Sequence, residues 1–180
     1  MPPKQLSFLP KLSVTAHREH GGSIRAGKRK TARAIDPKCP MHIVLRSSIA
    51  RGPLSMLHPK NRDHVDRRTY QIAARHGVRI YRYSNVGNHV HLLIKMPTRI
   101  AFQRFLRELA GVIATLVTGA IKGSPRKFWD GLAYTRIVTW GRDLKNIEQY
   151  FIKNIFEAAG LFTRKAKSAG LRVIPLVGWS

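Results

Sequence analysis

The sequence predicts an α+β fold in which an antiparallel sheet is covered by amphipathic helices. Four short segments are rich in β-branched and aromatic residues and are bounded by turn-forming residues, a pattern typical of strands. Three longer segments carry apolar residues at the three- and four-residue spacing of helices with one buried face. The predicted order is β-α-β-β-α-β-α. The strands span residues 41–46, 78–84, 89–96 and 132–140, and the helices span residues 59–76, 100–121 and 144–159.

Turn and capping residues support the boundaries of these elements in chain order. Pro40 precedes the first strand, Gly77 ends the first helix, and Pro97 ends the third strand. Glycine, serine and proline within residues 122–125 close the second helix. Asp143 is expected to cap the third helix.

This order matches the ferredoxin-like βαββαβ arrangement with an antiparallel sheet and one C-terminal helix added, which carries Tyr150. We expect the compact domain to span residues 39–162. Residues 1–38 lack apolar periodicity and are expected to form a flexible basic arm, and residues 163–180 a basic and apolar tail. The arm is interpreted either as a phosphate contact or as a solvated tail. Its basic residues include Arg25, Lys28, Arg29 and Lys30.

The charge balance indicates a polyanionic partner. The chain has 33 Lys and Arg against 9 Asp and Glu, a formal net charge of +24 at pH 7. Like charges repel one another, and binding to nucleic acid relieves this repulsion and releases counterions. A ribosome-like structural role stays open as an alternative at this point.

Composition also limits the kind of site and the setting. The single cysteine, Cys39, excludes an internal disulfide and a cysteine zinc site. No stretch approaches the ~20 apolar residues that span a bilayer, and no signal-peptide pattern opens the sequence. We therefore expect a reduced, cytoplasmic setting without a membrane.

Two histidines lie in the third predicted strand, within the segment GNHVHLLI at 87–94. Successive strand residues point to opposite faces, so His89 and His91 share one face. Imidazole is a common metal ligand, and a rigid strand places these two where they can share one ion. Each histidine alone is more typical of a structural role, but the pair predicts a metal site.

The third predicted helix offers partners for this pair. Tyr150 and Asn154 are four residues apart and lie on the same helical face. An apolar stripe on the same helix would hold it against a sheet. From the residues alone, Tyr150 is either a nucleophile or a core-edge aromatic, and Asn154 is either a ligand or a surface residue.

The segment NHVHLL at 88–93 resembles the histidine–hydrophobe–histidine motif of the HUH endonuclease superfamily. More narrowly, it is similar to that of the single-tyrosine transposases, of the insertion-sequence type and the REP-associated type. The segment YFIKN at 150–154 resembles the Tyr-Ile-x-x-Asn motif of their downstream helix. The resemblance covers about residues 39–162 and implies a HUH transposase domain.

The resemblance also implies roles for individual residues. His89 and His91 would be metal ligands, Asn154 a third ligand, and Tyr150 the nucleophile, with Mg²⁺ or Mn²⁺ as the divalent metal. Attack by Tyr150 would leave a 5′-phosphotyrosine and a free 3′-hydroxyl, which permits strand transfer. The partner would be single-stranded or hairpin DNA of REP-like form. A monomer is slightly favoured over a dimer that exchanges the tyrosine helix.

Other basic and aromatic residues are candidates for DNA contacts. The basic candidates in the domain are Arg79, Arg82, Arg126 and Lys127. Tyr81 and Tyr83 are expected on one face of the second strand, where they could stack on unpaired bases, and Tyr134 is expected to pack. Phe128 and Trp129 are expected either to stack on a hairpin loop or to lie in the core. Two rival hypotheses are a DNA- or RNA-binding protein that does not cleave and a metal-dependent nuclease that uses water.

Overall fold

The computed structural model describes residues 18–25, 31–120 and 127–158, without the side chains of residues 24, 25, 153–155, 157 and 158. It confirms the predicted α+β fold. The strands are β1 (Glu19–His20), β2 (Met41–Arg46), β3 (Arg79–Asn85), β4 (His89–Lys95) and β5 (Tyr134–Ile137). The helices are α1 (Arg62–Arg75), α2 (Arg99–Thr118) and α3 (Arg142–Ala158). Within these described residues, no helix has both the length and the apolar character that crossing a membrane requires.

The strands form one antiparallel sheet in the order β1-β5-β2-β4-β3. The last four of these strands have the spatial order of a ferredoxin-like fold, and α1 and α2 connect them in the predicted βαββαβ sequence. Strand β1 is an addition at the edge beside β5. The strand with the two histidines, β4, lies inside the sheet between β2 and β3.

Part of the segment 1–38 contacts the domain. Strand β1 pairs with β5, and the Arg33 guanidinium donates hydrogen bonds to Ala133 O at 2.8 Å and Thr135 Oγ1 at 2.6 Å. Strand β1 and Arg33 are therefore attached to the sheet, unlike the predicted flexible arm. Local sequence patterns do not reveal this attachment, because the partners lie about a hundred positions later in the chain. The division of the chain at residue 39 stays a prediction. Outside the described residues lie 1–17, 26–30 and the predicted tail 163–180.

The main core lies between the sheet and the helices α1 and α2. Alternate residues of β4 face it, namely Val90, Leu92 and Ile94. Helix α2 adds five buried apolar side chains at helical spacing, Phe102, Phe105, Leu109, Ile113 and Val117. Burial of each such side chain stabilises the fold by roughly 1.5–3 kcal/mol before the cost of ordering the chain.

Helix α3 covers the opposite face of the sheet. Its cluster of fully buried residues consists of Leu93, Val138 and Phe151. Leu93 alternates along β4 with the residues of the main core, so it marks the second face of the sheet. His89 and His91 lie on this second face, under the helix that carries Tyr150.

A β-bulge in β3 changes one predicted arrangement. The pairing of β3 with β4 shifts between Ile80 and Arg82. Tyr81 packs against the α3 cluster, whereas Tyr83 packs against the main core and donates a hydrogen bond to Asp66 Oδ1 at 2.5 Å. The prediction that Tyr81 and Tyr83 share a face is wrong, because the extra residue of the bulge reverses the alternation.

The start of α3 also differs from the prediction. The helix begins at Arg142, so Asp143 lies inside the first turn rather than at the cap. Its carboxylate accepts hydrogen bonds from the Thr139 N–H at 3.0 Å and from the Arg136 guanidinium. These bonds fasten the start of α3 to the end of β5.

Candidate active site

Three histidines lie under α3. His89 and His91 belong to β4, and His42 belongs to the neighbouring strand β2, where it is paired with Leu93. Paired residues of antiparallel strands point to the same face, so the position of Leu93 shows that His42 also faces α3. His91 is 1% exposed and His42 is 4% exposed, whereas His89 is half-buried.

Hydrogen bonds fix the orientation of both β4 histidines. A hydrogen bond of 3.3 Å joins His91 Nδ1 and His42 Nε2, and the two rings are nearly parallel with centroids 5.6 Å apart. His89 Nδ1 lies 2.6 Å from Asn88 Oδ1. An amide oxygen only accepts, so the Nδ1–H of His89 is the donor. The lone pair of His89 is therefore on Nε2. The same arrangement occurs in metal sites where a protein group accepts a hydrogen bond from the other ring nitrogen of a histidine ligand.

The Nε2 atom of His91 is the strongest indication that this site can bind a metal ion. It is buried and has no hydrogen-bond partner, a state that folded proteins usually avoid. Burial, together with the nearby His89 and His42, lowers the pKa of His91 to about 3. His91 is therefore neutral at pH 7, which is the form that binds a metal ion.

These donors fit two positions of a metal site. The ring centroids of His89 and His91 are 4.6 Å apart. His42 is not a third ligand, because its Nε2 is engaged with His91. Across the part of the chain that the structure describes, no group of three or more His, Cys, Asp and Glu could hold a metal ion. Asn154, the third ligand that the resemblance implies, belongs to α3, but its side chain lies outside the described residues.

Tyr150 lies beside the histidines, on the edge of α3. Its ring centroid is 5.5 Å from that of His91 and 6.0 Å from that of His42. The next residue, Phe151, is fully buried beneath the helix, and this anchors the turn that carries Tyr150. Tyr150 itself is 43% exposed, so its phenol is open to a substrate that approaches the histidine pair.

Polar contacts hold α3 on the sheet of its own chain. Glu148 forms an ion pair with the Arg82 guanidinium of β3, with 2.8 Å between Arg82 Nη2 and Glu148 Oε1. The Asp143 carboxylate ties the first turn to β5. With the burial of Phe151, these contacts fix the position of α3 at both its start and its middle.

A second tyrosine, Tyr134 of β5, lies next to His42. Its ring centroid is 6.1 Å from that of His42. Burial and the Glu19 carboxylate raise the pKa of Tyr134 to about 12. A raised pKa makes the phenolate nucleophile harder to form, which disfavours Tyr134 in that role.

The sequence prediction did not include His42. The available signal was a single imidazole between the apolar residues of a short strand, which is more typical of a structural histidine. Its partner, His91, lies 49 positions away and is brought to it only by the pairing of β2 with β4.

The family model described as "Transposase IS200 like" matches residues 36–154. This match spans well over half of the chain and includes the three histidines and Tyr150. The chain belongs to the IS200-like transposase family. The predicted resemblance to single-tyrosine transposases is thereby confirmed. Transposases of this family bind DNA, and the family is generally metal-dependent.

The IS200-like transposase also resembles a crystal structure from Deinococcus radiodurans R1 that is described provisionally as a transposase. The two share 18% sequence identity, and the match covers 71% of this chain and 98% of the other, with a TM-score of 0.43. The search of curated proteins finds no match to this transposase.

The structure describes some of the basic residues predicted to contact DNA in this transposase. Arg79 and Lys127 are exposed. Arg82 is exposed too, and it is paired with Glu148 of α3. The predicted contacts whose side chains lie outside the described residues are Arg25, Lys28, Arg29, Lys30 and Arg126.

Two aromatic residues of the predicted hairpin contact are packed in the core. Phe128 is 3% exposed. Trp129 donates its Nε1–H to Ala110 O at 2.8 Å and packs against the main core. Their packing favours the core alternative over stacking on a hairpin loop.

Proposed function

We propose that this transposase nicks and rejoins single-stranded DNA through a covalent bond to Tyr150, with a divalent metal ion held by His89 and His91. One observation carries the proposal. The exposed ring of Tyr150 lies 5.5 Å from the ring of His91, whose buried Nε2 lacks a partner. The proposed nucleophile therefore lies next to the proposed ligand His91.

The ligand residues would act through their Nε2 atoms, with Asn154 as the proposed third ligand. Asn88 holds His89 in the required tautomer, and His42 orients the ring of His91. When bound, Mg²⁺ or Mn²⁺ would polarise the scissile phosphate and offset the charge that develops on its oxygens.

The cleavage step exchanges one phosphate ester for another. The Tyr150 Oη forms a bond to phosphorus while the bond from phosphorus to the 3′ oxygen of the upstream nucleotide breaks. The phenolic proton passes to solvent, to which Tyr150 is open, and the leaving 3′ oxygen takes up a proton. The products are a 5′-phosphotyrosine and a 3′-hydroxyl.

Strand transfer is the reverse step with a different strand. Because the phosphotyrosine keeps a phosphodiester bond, the 3′-hydroxyl of a second DNA end can attack phosphorus and release Tyr150. No hydrolysis is required, and the number of phosphodiester bonds is conserved.

The fit of α3 supports a site that is complete within one chain. Glu148 and Phe151 attach the helix to the sheet that carries His89 and His91. We therefore propose a monomer, because a helix that is already docked on its own sheet needs no exchange with a partner.

Single-stranded or hairpin DNA is the proposed substrate. His91 is 1% exposed and lies under α3, so a phosphate would have to approach it between a helix and a sheet. A flexible strand fits such an approach more readily than a stiff duplex. The net charge of +24 supplies the attraction to the backbone.

The test uses a hairpin oligonucleotide labelled at its 3′ end, since the proposed adduct retains the downstream fragment. We expect a labelled band at the protein's position on a denaturing gel in Mn²⁺ and none in EDTA. Tyr150→Phe should abolish the band, whereas the matched control Tyr134→Phe should retain it. His89→Ala should also abolish it.

Other results would support the rival hypotheses. Cleavage without an adduct that survives Tyr150→Phe would indicate a nuclease that uses water. Binding without any cleavage in Mg²⁺ or Mn²⁺ would indicate a DNA-binding protein of the same fold. Either result would overturn the proposed function.

A further inference from the structure

A second cluster of aromatic and basic side chains lies on the α3 side of the sheet, at the far end of β4 from His89. Trp140 follows β5 and precedes α3, and it is 52% exposed. Tyr81 of β3 meets it edge to face, with ring centroids 6.4 Å apart. Lys95 Nζ lies 5.7 Å from the centre of the Trp140 ring, and the Arg79 guanidinium lies 5.4 Å from that of Tyr81. We call Trp140, Tyr81, Lys95 and Arg79 the Trp140 platform.

The Trp140 ring is held in place rather than loose. Its Nε1–H donates a hydrogen bond to Lys38 O at 3.2 Å, and Tyr81 supports it from one side. An indole that is half exposed yet fixed in orientation loses little entropy when another flat ring stacks on it. This is the property expected of a stacking surface for a base.

The charges around the platform match a nucleic-acid backbone. Lys95 and Arg79 place two cations against the aromatic rings. Arg142 is exposed in the first turn of α3, where a cation is unfavourable next to the positive end of the helix dipole. The one acidic residue of that turn, Asp143, is already paired with Arg136. A phosphate would relieve this concentration of positive charge.

The platform and Tyr150 are separated by the length of a short strand of DNA. From Arg142 to Tyr150 the helix rises ~12 Å, at ~1.5 Å per residue. Along β4, His89 and Lys95 are ~20 Å apart, at ~3.4 Å per residue. A single DNA strand that lies along α3 would cover the longer of these two distances with about six stacked nucleotides, at ~3.4 Å each.

We propose that the Trp140 platform binds an unpaired base of the same DNA strand whose phosphate is attacked by Tyr150. The base stacks on Trp140, and Lys95 and Arg79 contact the adjoining phosphates. This proposal rests on the proposed function, because it assumes that the bound strand is the DNA strand that Tyr150 cleaves. The proposal itself concerns binding and not cleavage. A stacking contact is tolerant of sequence, so the platform would hold the strand in register rather than select a base.

The experiment measures binding of a fluorescent single-stranded oligonucleotide in EDTA, with Tyr150→Phe as the parent protein so that no cleavage occurs. We expect Trp140→Ala to weaken binding about 5- to 150-fold, the range for loss of one base–aromatic stack. Trp140→Phe should retain part of the affinity. The matched control is Tyr70→Ala, because Tyr70 is also 52% exposed but lies on α1, over the other face of the sheet.

An abasic scan tests whether the contact is to a base. One position of the oligonucleotide should be sensitive: removing its base should weaken binding to the parent protein but not to the Trp140→Ala variant. Equal weakening of both proteins at every position would overturn the proposal, as would unchanged affinity of Trp140→Ala. A blunt duplex without unpaired bases should show no effect of Trp140→Ala.

A second measurement avoids any dependence on the folding of the variant. An oligonucleotide that carries 5-iodouracil at the sensitive position is irradiated with the unsubstituted protein, and the cross-linked peptide is identified by mass spectrometry. Cross-linking at Trp140 or Tyr81 supports the proposal, and cross-linking only at other residues overturns it. If the protein binds no single-stranded DNA at all, the proposed function fails as well, whereas normal binding without a platform contact leaves that function intact.

Discussion

Replacing His42 with phenylalanine should weaken metal binding although His42 is not itself a ligand. The substitution keeps a ring between His91 and Phe151 but removes the Nε2 atom that holds His91 Nδ1 at 3.3 Å. Loss of a group that orients a metal-binding histidine typically weakens affinity 10- to 100-fold. The hydrogen bond is long and joins two neutral rings, so we expect about 10-fold, or ~1.4 kcal/mol.

The assay is a titration of the full-length protein with Mn²⁺ in the absence of DNA. Binding is measured by calorimetry or from the electron paramagnetic resonance signal of free Mn²⁺. This readout does not depend on catalysis. His42→Gln should recover part of the affinity, because a glutamine amide can reach His91 Nδ1. The matched control Tyr134→Phe, which alters another neighbour of His42, should bind Mn²⁺ normally. Wild-type affinity in the folded His42→Phe protein would refute the orienting role.

Two further predictions concern stability. Burial lowers the pKa of His42 to about 4 and that of His91 to about 3, so between pH 6.5 and 4 the unfolded chain binds more protons. The free energy of unfolding in EDTA should therefore fall between pH 7 and 5, by about 2 kcal/mol per histidine. Gly21→Ala should destabilise the protein by at least ~1–2 kcal/mol, since φ is 82° and an added Cβ would lie 2.1 Å from Ala133 O. Thermal unfolding measures both effects.

Each of these stability predictions has a clear contrary result. A melting temperature in EDTA that is the same at pH 7 and pH 5 would mean that the two buried histidines do not resist protonation. An unchanged melting temperature for Gly21→Ala would mean that the packing of β1 against β5 contributes nothing to stability. Gly131→Ala is the matched control, because a Cβ there meets nothing within 4 Å.

The elements near the site could be predicted because their signals are local. The alternation around His89 and His91 identifies one strand face, and the apolar spacing on both sides of Tyr150 identifies a docked helix. Both signals span fewer than twenty residues. The roles of these residues came from the resemblance, and the assignments of Tyr150, His89, His91 and Asn154 stay predictions until they are tested.

The features that escaped prediction depend on distant pairing or on irregular backbone. His42 acquires its role through a strand 49 positions away. The position of β1 depends on β5, more than a hundred residues later. The bulge between Ile80 and Arg82 places Tyr81 beside Trp140, and nothing in the alternating sequence of that strand marks an extra residue.

Identification of the residue that becomes attached to DNA tests the central claim most directly. The wild-type protein is incubated with hairpin DNA and Mn²⁺, digested with nuclease and protease, and analysed by tandem mass spectrometry. We predict a nucleotide linked through its 5′ phosphate to Tyr150, and to no other residue. Attachment at Tyr134, or cleaved DNA without any modified tyrosine, would contradict the account.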